Sequence, residues 1–195
     1  MLQLIYSPTS PYARKCRILV RELGLQGRVS EIADNPFDDT DTLLQANPLG
    51  RVPCLVLDDG RALTESAVIA AWLNEQAAAP WPSNWDDRRL EALGGGLLDL
   101  AVARRVEMVR DEAIYSAHWL GRRERGIART LDALERECAV AIEPLSLGAL
   151  TIALALDYLD FRYPESQWRT QGPRLEALHA AWFGRDSFIA TAPPL

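Results

Sequence analysis

The stretch SPTSPYARKCRILVRELGL, residues 7–25, decides how the first part of this 195-residue chain folds. It follows the apolar run LQLIY, which suits a short buried strand, and it turns through Ser10 and Pro11. Apolar side chains then recur at the spacing of a helix that packs on a core, at Cys16, Leu19, Val20 and Leu23. The stretch therefore predicts a strand at 2–6, a turn, and a helix at 14–23.

Strand and helix patterns continue to alternate after this helix. Strands are predicted at 28–33 and 54–58, with a short helix at 39–46 between them. Asp59-Gly60 is a strong hairpin signal, so the run RALTE is predicted to pair with the strand before it. Helical spacing then returns at Val68, Ile69, Trp72 and Leu73. The order β-α-β-α-β-β-α predicts an α/β domain.

The second half of the chain contains no convincing strand pattern. Residues 77–87, AAAPWPSNWDD, place two prolines around a tryptophan and predict a linker. Helical patterns follow, and the one at 147–161 is apolar on nearly all sides, so it should be buried. The others lie at 86–112, 118–141, 173–184 and 185–191. We therefore predict an α/β domain at 1–77, a linker at 78–85 and an all-α domain at 86–195.

The start of the buried helix has a recognisable but incomplete capping pattern. Ser146 is predicted to cap the helix, with Leu145 and Leu150 at the two hydrophobic staple positions. A capping box also needs an acidic or amide side chain three residues after the cap, where the chain has Ala149. The sequence therefore predicts a working but weakened helix start.

Composition and charge exclude several classes of protein. The net charge is −6 and no basic stripe is evident, which argues against a nucleic-acid partner. The Arg-rich segment GRRERGIAR at 121–129 is interpreted as a solvated helix face. The three cysteines form no CxxC pair and no metal-ligand spacing, so no metal site is predicted. No signal-peptide pattern or membrane-length apolar run is present, which predicts a cytoplasmic protein without a membrane partner.

Two hydroxyls lie where the first helix begins, at Thr9 and Ser10. Unpaired backbone N–H groups and the positive end of the helix dipole favour an anion at such a place. A plain helix N-cap is the competing interpretation of Ser10, and this stretch alone favours the cap.

Two later dipeptides carry further candidate chemistry. Val52-Pro53 begins a strand, and an X-Pro bond adopts the cis form at a cost of only about 0.5–1 kcal/mol; an edge-strand proline is the alternative. Glu65-Ser66 offers a carboxylate and a hydroxyl at a helix start, where they could hold the amino and carboxylate groups of a ligand. An ordinary helix cap is again the alternative. Each stretch alone is a weak signal, whereas their order and spacing are specific.

A strand, a turn of this form and a helix are where a thioredoxin-like protein keeps two redox cysteines, but here the positions hold Ser10 and Ala13. With an all-α domain following, the chain resembles the glutathione S-transferase superfamily over nearly its whole length. It is most similar to the bacterial, serine-type, YibF-like group. The sequence segments that carry this resemblance are SPTSPYARK, NPLGRVPCLV, LTESAVIAAWL, ALDYLDFR and FGRDSFIATAPP.

The resemblance implies a thioredoxin-like N-terminal domain that binds glutathione as co-substrate, a helical C-terminal domain, and a homodimer. Ser10 matches the serine that hydrogen-bonds the glutathione sulfur, and Thr9 is a second hydroxyl that could share or replace that role. Val52 matches the residue whose backbone pairs with the cysteinyl part, beside a cis Pro53. The γ-glutamyl end would be held by Glu65 and Ser66. Gly50-Arg51 departs from family members that have His or Gln there, which leaves the contact to the glycine end open.

The resemblance also implies a pocket for a small hydrophobic electrophile. Its predicted lining combines the turn before the first helix with the helix and loop at 97–120. The named candidates are Tyr12, Met108, Tyr115 and Trp119. For each of them, a place in the core or in an interface is the more ordinary interpretation.

Three functions from different classes are compatible with this pattern. The first is an enzyme that transfers glutathione to an electrophile. The second is a glutathione-dependent reductase or isomerase; a protein-borne thiol is missing near Ser10, since Cys16 lies about two helical turns further on. The third is a non-catalytic glutathione-binding or regulatory protein of the same fold. The intact set of Ser10, Val52-Pro53 and Glu65-Ser66 argues against the third.

Overall fold

Leu4 and Ile5 lie buried at the centre of a four-stranded sheet in the computed structural model, which describes residues 1–138 and 145–194. The spatial order of the strands is β2-β1-β3-β4. Their bounds are Leu2–Tyr6 for β1, Val29–Ala33 for β2, Cys54–Val56 for β3 and Ala62–Thr64 for β4. β2 runs parallel to β1, whereas β3 and β4 join antiparallel, as the hairpin signal predicts. The mixed thioredoxin-like sheet confirms the predicted α/β class.

Three helices accompany this sheet: α1 (Pro11–Glu22), α2 (Asp41–Ala46) and α3 (Ser66–Glu75). α1 begins earlier than its periodicity predicts, because proline suits the first helical position, where its missing N–H costs nothing. Gly24 follows the helix with φ 68, the left-handed conformation that commonly ends a helix. At the end of α3, buried Asn74 exchanges two hydrogen bonds with the backbone of Trp81, at 3.0 and 2.8 Å, and so fixes the start of the linker.

The helices of the second half confirm the predicted all-α character. They are α4 (Trp85–Met108), α5 (Ala117–Glu137), α6 (Leu147–Arg162), α7 (Trp168–Gln171) and α8 (Pro173–Phe183). α6 is buried from Leu147 to Leu159, as its apolar pattern predicts. α7 is a single turn that the sequence did not indicate, and the predicted end of α5 at residue 141 lies outside the described residues. Within residues 1–138 and 145–194, every helix falls short of the length and apolar content that a membrane span needs.

The first turn of α6 draws on another helix for its capping. Ser146 Oγ accepts a hydrogen bond from the Ala149 N–H at 3.1 Å, as predicted. Asp87 of α4 then accepts from the Gly148 N–H at 2.9 Å. Asp87 does not replace the capping-box acid, which would accept from the Ser146 N–H, but it satisfies a second N–H of the first turn.

The described chain divides into two compact units. The first contains Met1–Trp81 together with the segment from Gly184 onward, and the second contains Pro82–Phe183. A last helix, α9 (Asp186–Ile189), therefore belongs with α1, whereas the predicted all-α domain included it. The guanidinium of buried Arg14 explains this docking, since it donates to the Phe188 carbonyl at 3.1 Å and lies over the Phe188 ring.

Candidate functional site

The strand register brings the three candidate stretches to one edge of the sheet. Ile5 of β1 pairs with Cys54 of β3, and Cys54 pairs with Thr64 of β4. The segments that follow β1, precede β3 and follow β4 therefore emerge side by side. These segments carry Thr9-Ser10, Val52-Pro53 and Glu65-Ser66. α1 also packs on α3, where the Cys16 Sγ lies 3.9 Å from the Ser66 carbonyl oxygen.

Ser10 is the N-cap of α1 and is half-buried. Its Oγ accepts a hydrogen bond from the Ala13 N–H at 3.2 Å. The hydroxyl proton is not used by this bond, so the same group can cap the helix and donate to an anion. The first turn contains no acidic residue, which leaves the positive end of the helix dipole uncompensated. Thr9 lies beside Ser10 and is exposed.

Val52 and Pro53 are joined by a cis peptide bond at the start of β3. Pro53 is buried, whereas Val52 is half-buried. No hydrogen bond to the Val52 backbone is found among the described residues. The loop before it is held by buried Asn47, whose side-chain amide donates to the Arg51 carbonyl at 2.7 Å. The backbone of Val52 is thus positioned with donor and acceptor groups to spare.

Glu65 caps α3 in an unusual backbone conformation. Its φ is 72 and its ψ is 119, and its Oε1 accepts a hydrogen bond from the Ser66 N–H at 3.1 Å. Glu65 is exposed and Ser66 is buried at the first position of the helix. Sparsely populated backbone conformations of this kind cost roughly 1–3 kcal/mol and cluster at binding sites.

The candidate residues for the electrophile pocket lie in both units. Tyr12 is half-buried in the first turn of α1. Met108 ends α4, Tyr115 is in the loop after it, and Trp119 is in the first turn of α5. These three side chains are all exposed, so the alternative that they are core residues does not hold.

Comparison with known proteins decides the family. A family model for the glutathione S-transferase N-terminal domain matches residues 9–76. An uncharacterized GST-like protein of Escherichia coli, YibF, is 33% identical over 202 residues, which is 99% of this chain and 99% of that protein. This chain belongs to the glutathione S-transferase superfamily. The predicted resemblance to its YibF-like group is confirmed.

Solved structures support the same assignment of this superfamily member. A glutathione S-transferase from Methylobacillus flagellatus, with glutathione bound, superposes with a TM-score of 0.92 at 31% identity, and the match covers 100% of each chain. A glutathione transferase family member from Pseudomonas fluorescens, also with bound glutathione, gives a TM-score of 0.90 at 35% identity and likewise covers 100% of each chain.

One set of polar residues in this transferase-family chain has no signal in the sequence. Glu107 is 5% exposed near the end of α4, and it accepts hydrogen bonds from the Ser116 N–H and from Arg123, both at 2.9 Å. The hydrogen bond from Arg123, followed by that from Ser116, lowers the pKa of the Glu107 carboxyl below its usual range. The interpretation of 121–129 as a solvated face is therefore wrong for Arg123, which is only half exposed and ion-paired. The run contains no signal for this pairing, because the acid lies on the preceding helix.

The surroundings of Cys54 and Cys138 disfavour a reactive thiolate. Cys16 and Cys54 are fully buried, and burial raises the pKa of the Cys54 thiol. Burial also raises the pKa of the Cys138 thiol, to about 11. In the part of the chain that the structure describes, no group of three or more His, Cys, Asp or Glu residues is arranged to hold a metal ion.

Proposed function

We propose that this chain binds glutathione, stabilises its thiolate and transfers it to a small hydrophobic electrophile. The observation that carries the proposal is the Ser10 hydroxyl, which caps α1 and still has its proton to donate. The glutathione bound in the relatives from Methylobacillus and Pseudomonas supports the choice of ligand. The sulfur of the thiolate would attack the electrophilic carbon, a C–S bond would form, and the leaving group would depart with its electron pair.

Each candidate residue has a defined role in this proposal. Ser10 donates a hydrogen bond to the thiolate, with Thr9 as a second hydroxyl nearby. The free backbone groups of Val52, beside Pro53, pair with the cysteinyl part of glutathione. Glu65 holds the γ-glutamyl amino group, and Ser66 at the start of α3 holds its carboxylate. Tyr12, Met108, Tyr115 and Trp119 stay the candidates for contact with the electrophile.

The energetics are sufficient without a general base. A free thiol has a pKa of about 8.5, so only a small fraction is ionised at neutral pH. Lowering that pKa by about two units needs about 2.7 kcal/mol. A charge-assisted hydrogen bond from Ser10 contributes about 1.5–3 kcal/mol, and the helix terminus adds about 0.3–1 kcal/mol. The cysteines support a borrowed thiol over a protein-borne one, because the raised pKa values of buried Cys54 and half-buried Cys138 disfavour a thiolate on either.

Calorimetric titration of glutathione, with a chlorodinitrobenzene conjugation assay on the same samples, tests this function. In Ser10→Ala we expect glutathione affinity to change little and kcat/KM at neutral pH to fall about 10- to 100-fold. The loss should shrink near pH 9, where the free thiol ionises unaided. Ser10→Thr keeps a hydroxyl and should retain most of the rate, and Thr9→Ala shows whether the second hydroxyl contributes. No heat of binding at millimolar glutathione would overturn the site assignment.

A homodimer and a cytoplasmic location also belong to this proposal. Trp85 is 85% exposed at the start of α4, and we assign it to the surface that a second copy covers. Sedimentation velocity over a range of concentrations would show whether the chain is dimeric, and Trp85→Ser would show whether this side chain contributes.

A further inference from the structure

The α4–α5 connection in the second unit forms an open cavity of about 410 Å³. Its lining combines charged and apolar side chains: Glu107, Arg110, Ile114, Ser116, Trp119 and Arg123. Four of the six lining residues are charged or polar, and polar groups beside apolar ones fix the orientation of a ligand in a small-molecule site. This cavity therefore calls for a ligand whose chemistry matches both parts.

The charged part of the cavity has a surplus of positive charge. Glu107 is its one carboxylate, and that carboxylate is already shared. Arg123 Nη1 donates to Oε2 at 2.9 Å, Arg110 Nε lies 3.4 Å from the same oxygen, and the Ser116 N–H donates to Oε1. Two guanidinium groups thus face one ionised carboxylate, and an anion would balance them.

The donors of Arg123 that Glu107 does not use are available to a ligand. Only Nη1 of Arg123 is hydrogen-bonded in the described parts of the chain, so Nε and Nη2 have no acceptor there. The buried side-chain atoms of those residues that lack a hydrogen-bond partner are Asp87 Oδ2, Arg104 Nη1 and Arg162 Nε. Neither Arg123 atom belongs to this set. They are therefore accessible to solvent on a side chain that lines the cavity, and a guanidinium with two free donors fits the two oxygens of a carboxylate.

The apolar side chains of the cavity are exposed to solvent. Ile114 is 65% exposed and Trp119 is 51% exposed, and both line the cavity. Met108 and Val109, at the end of α4, are also exposed. Large apolar side chains that gather at the surface mark interaction sites, and an indole face favours a flat ring.

We propose that this cavity binds an aromatic molecule that carries one carboxylate. The ring lies against Trp119 and Ile114, and the carboxylate accepts hydrogen bonds from Arg123 and Arg110. The cavity lies within the second unit, and the binding of an aromatic carboxylate there does not depend on the proposed transferase function. Arg123 and Arg110 are then the residues that select an anionic over a neutral ligand.

Titration calorimetry without glutathione tests the site with two probes that share a ring, chloronitrobenzoate and the uncharged chloronitrobenzamide. Wild type should bind the benzoate at least about tenfold more tightly than the amide. Arg110→Gln and Arg123→Gln should each remove most of this preference. Arg122→Gln changes an exposed neighbour on α5 that does not line the cavity, and it should keep the preference.

Glu107→Gln gives a change of opposite sign. Its amide oxygen can still accept from the Ser116 N–H, while the negative charge that competes with the ligand is gone. Benzoate affinity should rise severalfold and amide affinity should stay unchanged; a merely loosened loop would weaken both.

Equal binding of the two probes to wild type, or equal losses in Arg122→Gln and Arg123→Gln, would overturn the proposal. A wild type that prefers the benzoate but binds no glutathione would support this site and overturn only the proposed transferase function.

Discussion

Glu65 combines a strained backbone conformation with a proposed contact to glutathione. Its φ of 72 suits glycine, yet the chain keeps a carboxylate there that caps α3. A strained conformation at the proposed γ-glutamyl contact is what a binding role would retain and a stability role would remove.

Comparing Glu65→Gly with Glu65→Ala isolates this strain, because both variants lose the same carboxylate. We expect the glycine variant to have the higher free energy of unfolding, by about 1–2 kcal/mol, which reverses the usual order of the two residues. Both should bind glutathione equally weakly. Urea denaturation and calorimetry measure the two quantities. Ala67→Gly, at an exposed helical position in α3, should show the ordinary loss of about 0.5–1 kcal/mol; an alanine variant as stable as glycine at residue 65 would remove the strain argument.

Local rules explain which single residues were predictable from the sequence. A hydroxyl before a helix, an X-Pro step before a strand and an acid after a hairpin make Ser10, Pro53 and Glu65 candidates, whereas their proposed binding roles come from the family resemblance. The role of Arg14 was not predictable in this way. Its guanidinium binds the backbone of Phe188, 174 residues further along the chain, so no local pattern encodes the contact.

The long helix α4 contains three consecutive glycines with unequal surroundings. A Cβ on Gly94 would lie 3.0 Å from the Ile152 backbone nitrogen and 3.1 Å from the Thr151 carbonyl carbon, so α4 and α6 approach closely there. A Cβ on Gly95 or Gly96 would meet nothing within 4 Å. Only the first glycine is therefore needed for packing, and the other two weaken the helix.

Alanine substitution should separate the three positions by sign. Gly95→Ala and Gly96→Ala should each raise the free energy of unfolding by about 0.5–1 kcal/mol, because alanine loses less conformational freedom in a helix. Gly94→Ala should lower it by about 1–3 kcal/mol, because the methyl group must displace the backbone of α6. Urea denaturation of the three single variants gives the comparison. The same sign at all three positions would show that α4 and α6 do not meet as described.

The start of α6 shows why element boundaries were predictable while their stability was not. Ser146 was identified as the cap from its position before the apolar run. The missing acid at residue 149 predicted a weak start, but Asp87, 61 residues before Gly148, accepts from the Gly148 N–H and so stabilises the same turn. Cap residues act within one turn and appear in the sequence, whereas a capping acceptor from a neighbouring helix exists only after packing.

Replacing each first-turn acid of α4 tests this cap. Asp86→Ala and Asp87→Ala both remove a negative charge near the helix N-terminus, worth about 0.3–1 kcal/mol. Only Asp87→Ala also leaves the Gly148 N–H without its acceptor, so its free energy of unfolding should fall by about 1–3 kcal/mol more. Thermal and urea unfolding of the pair measure the difference. Equal losses would mean that Asp87 acts only on its own helix.

At the scale of the whole molecule, the first unit is assembled from both ends of the sequence. α1 carries the proposed catalytic serine at its start and Glu22 at its end. Glu22 receives two hydrogen bonds from Arg185, at 2.9 and 2.6 Å, and one from Ser187. The segment from Gly184 onward therefore completes the unit only after the rest of the chain has been made, which raises the sequence separation of the native contacts and slows folding.

The ion pair between Glu22 and Arg185 makes the free energy of unfolding depend on pH in a defined direction. Burial alone would raise the pKa of Glu22, but the hydrogen bonds from Arg185 and Ser187 bring it below its ordinary value. A carboxyl with a lowered pKa in the folded state adds stability above its unfolded pKa, and that stability is lost as the pH falls through the folded value. Glu22→Gln should therefore be less stable than wild type at pH 7, by on the order of 1 kcal/mol, and the difference should shrink as the pH falls below the ordinary carboxyl pKa of about 4.3.

Urea midpoints measured between pH 7 and pH 3 for wild type, Glu22→Gln and Glu75→Gln test this prediction. Glu75 is exposed at the end of α3 in the same unit, so Glu75→Gln should follow wild type throughout. A gap between wild type and Glu22→Gln that stays constant down to pH 3 would assign its origin to packing instead of charge. A gap that closes would show that the ion pair between α1 and the C-terminal segment holds the proposed glutathione-binding unit together, because protonation removes its charge while the side-chain volume stays the same.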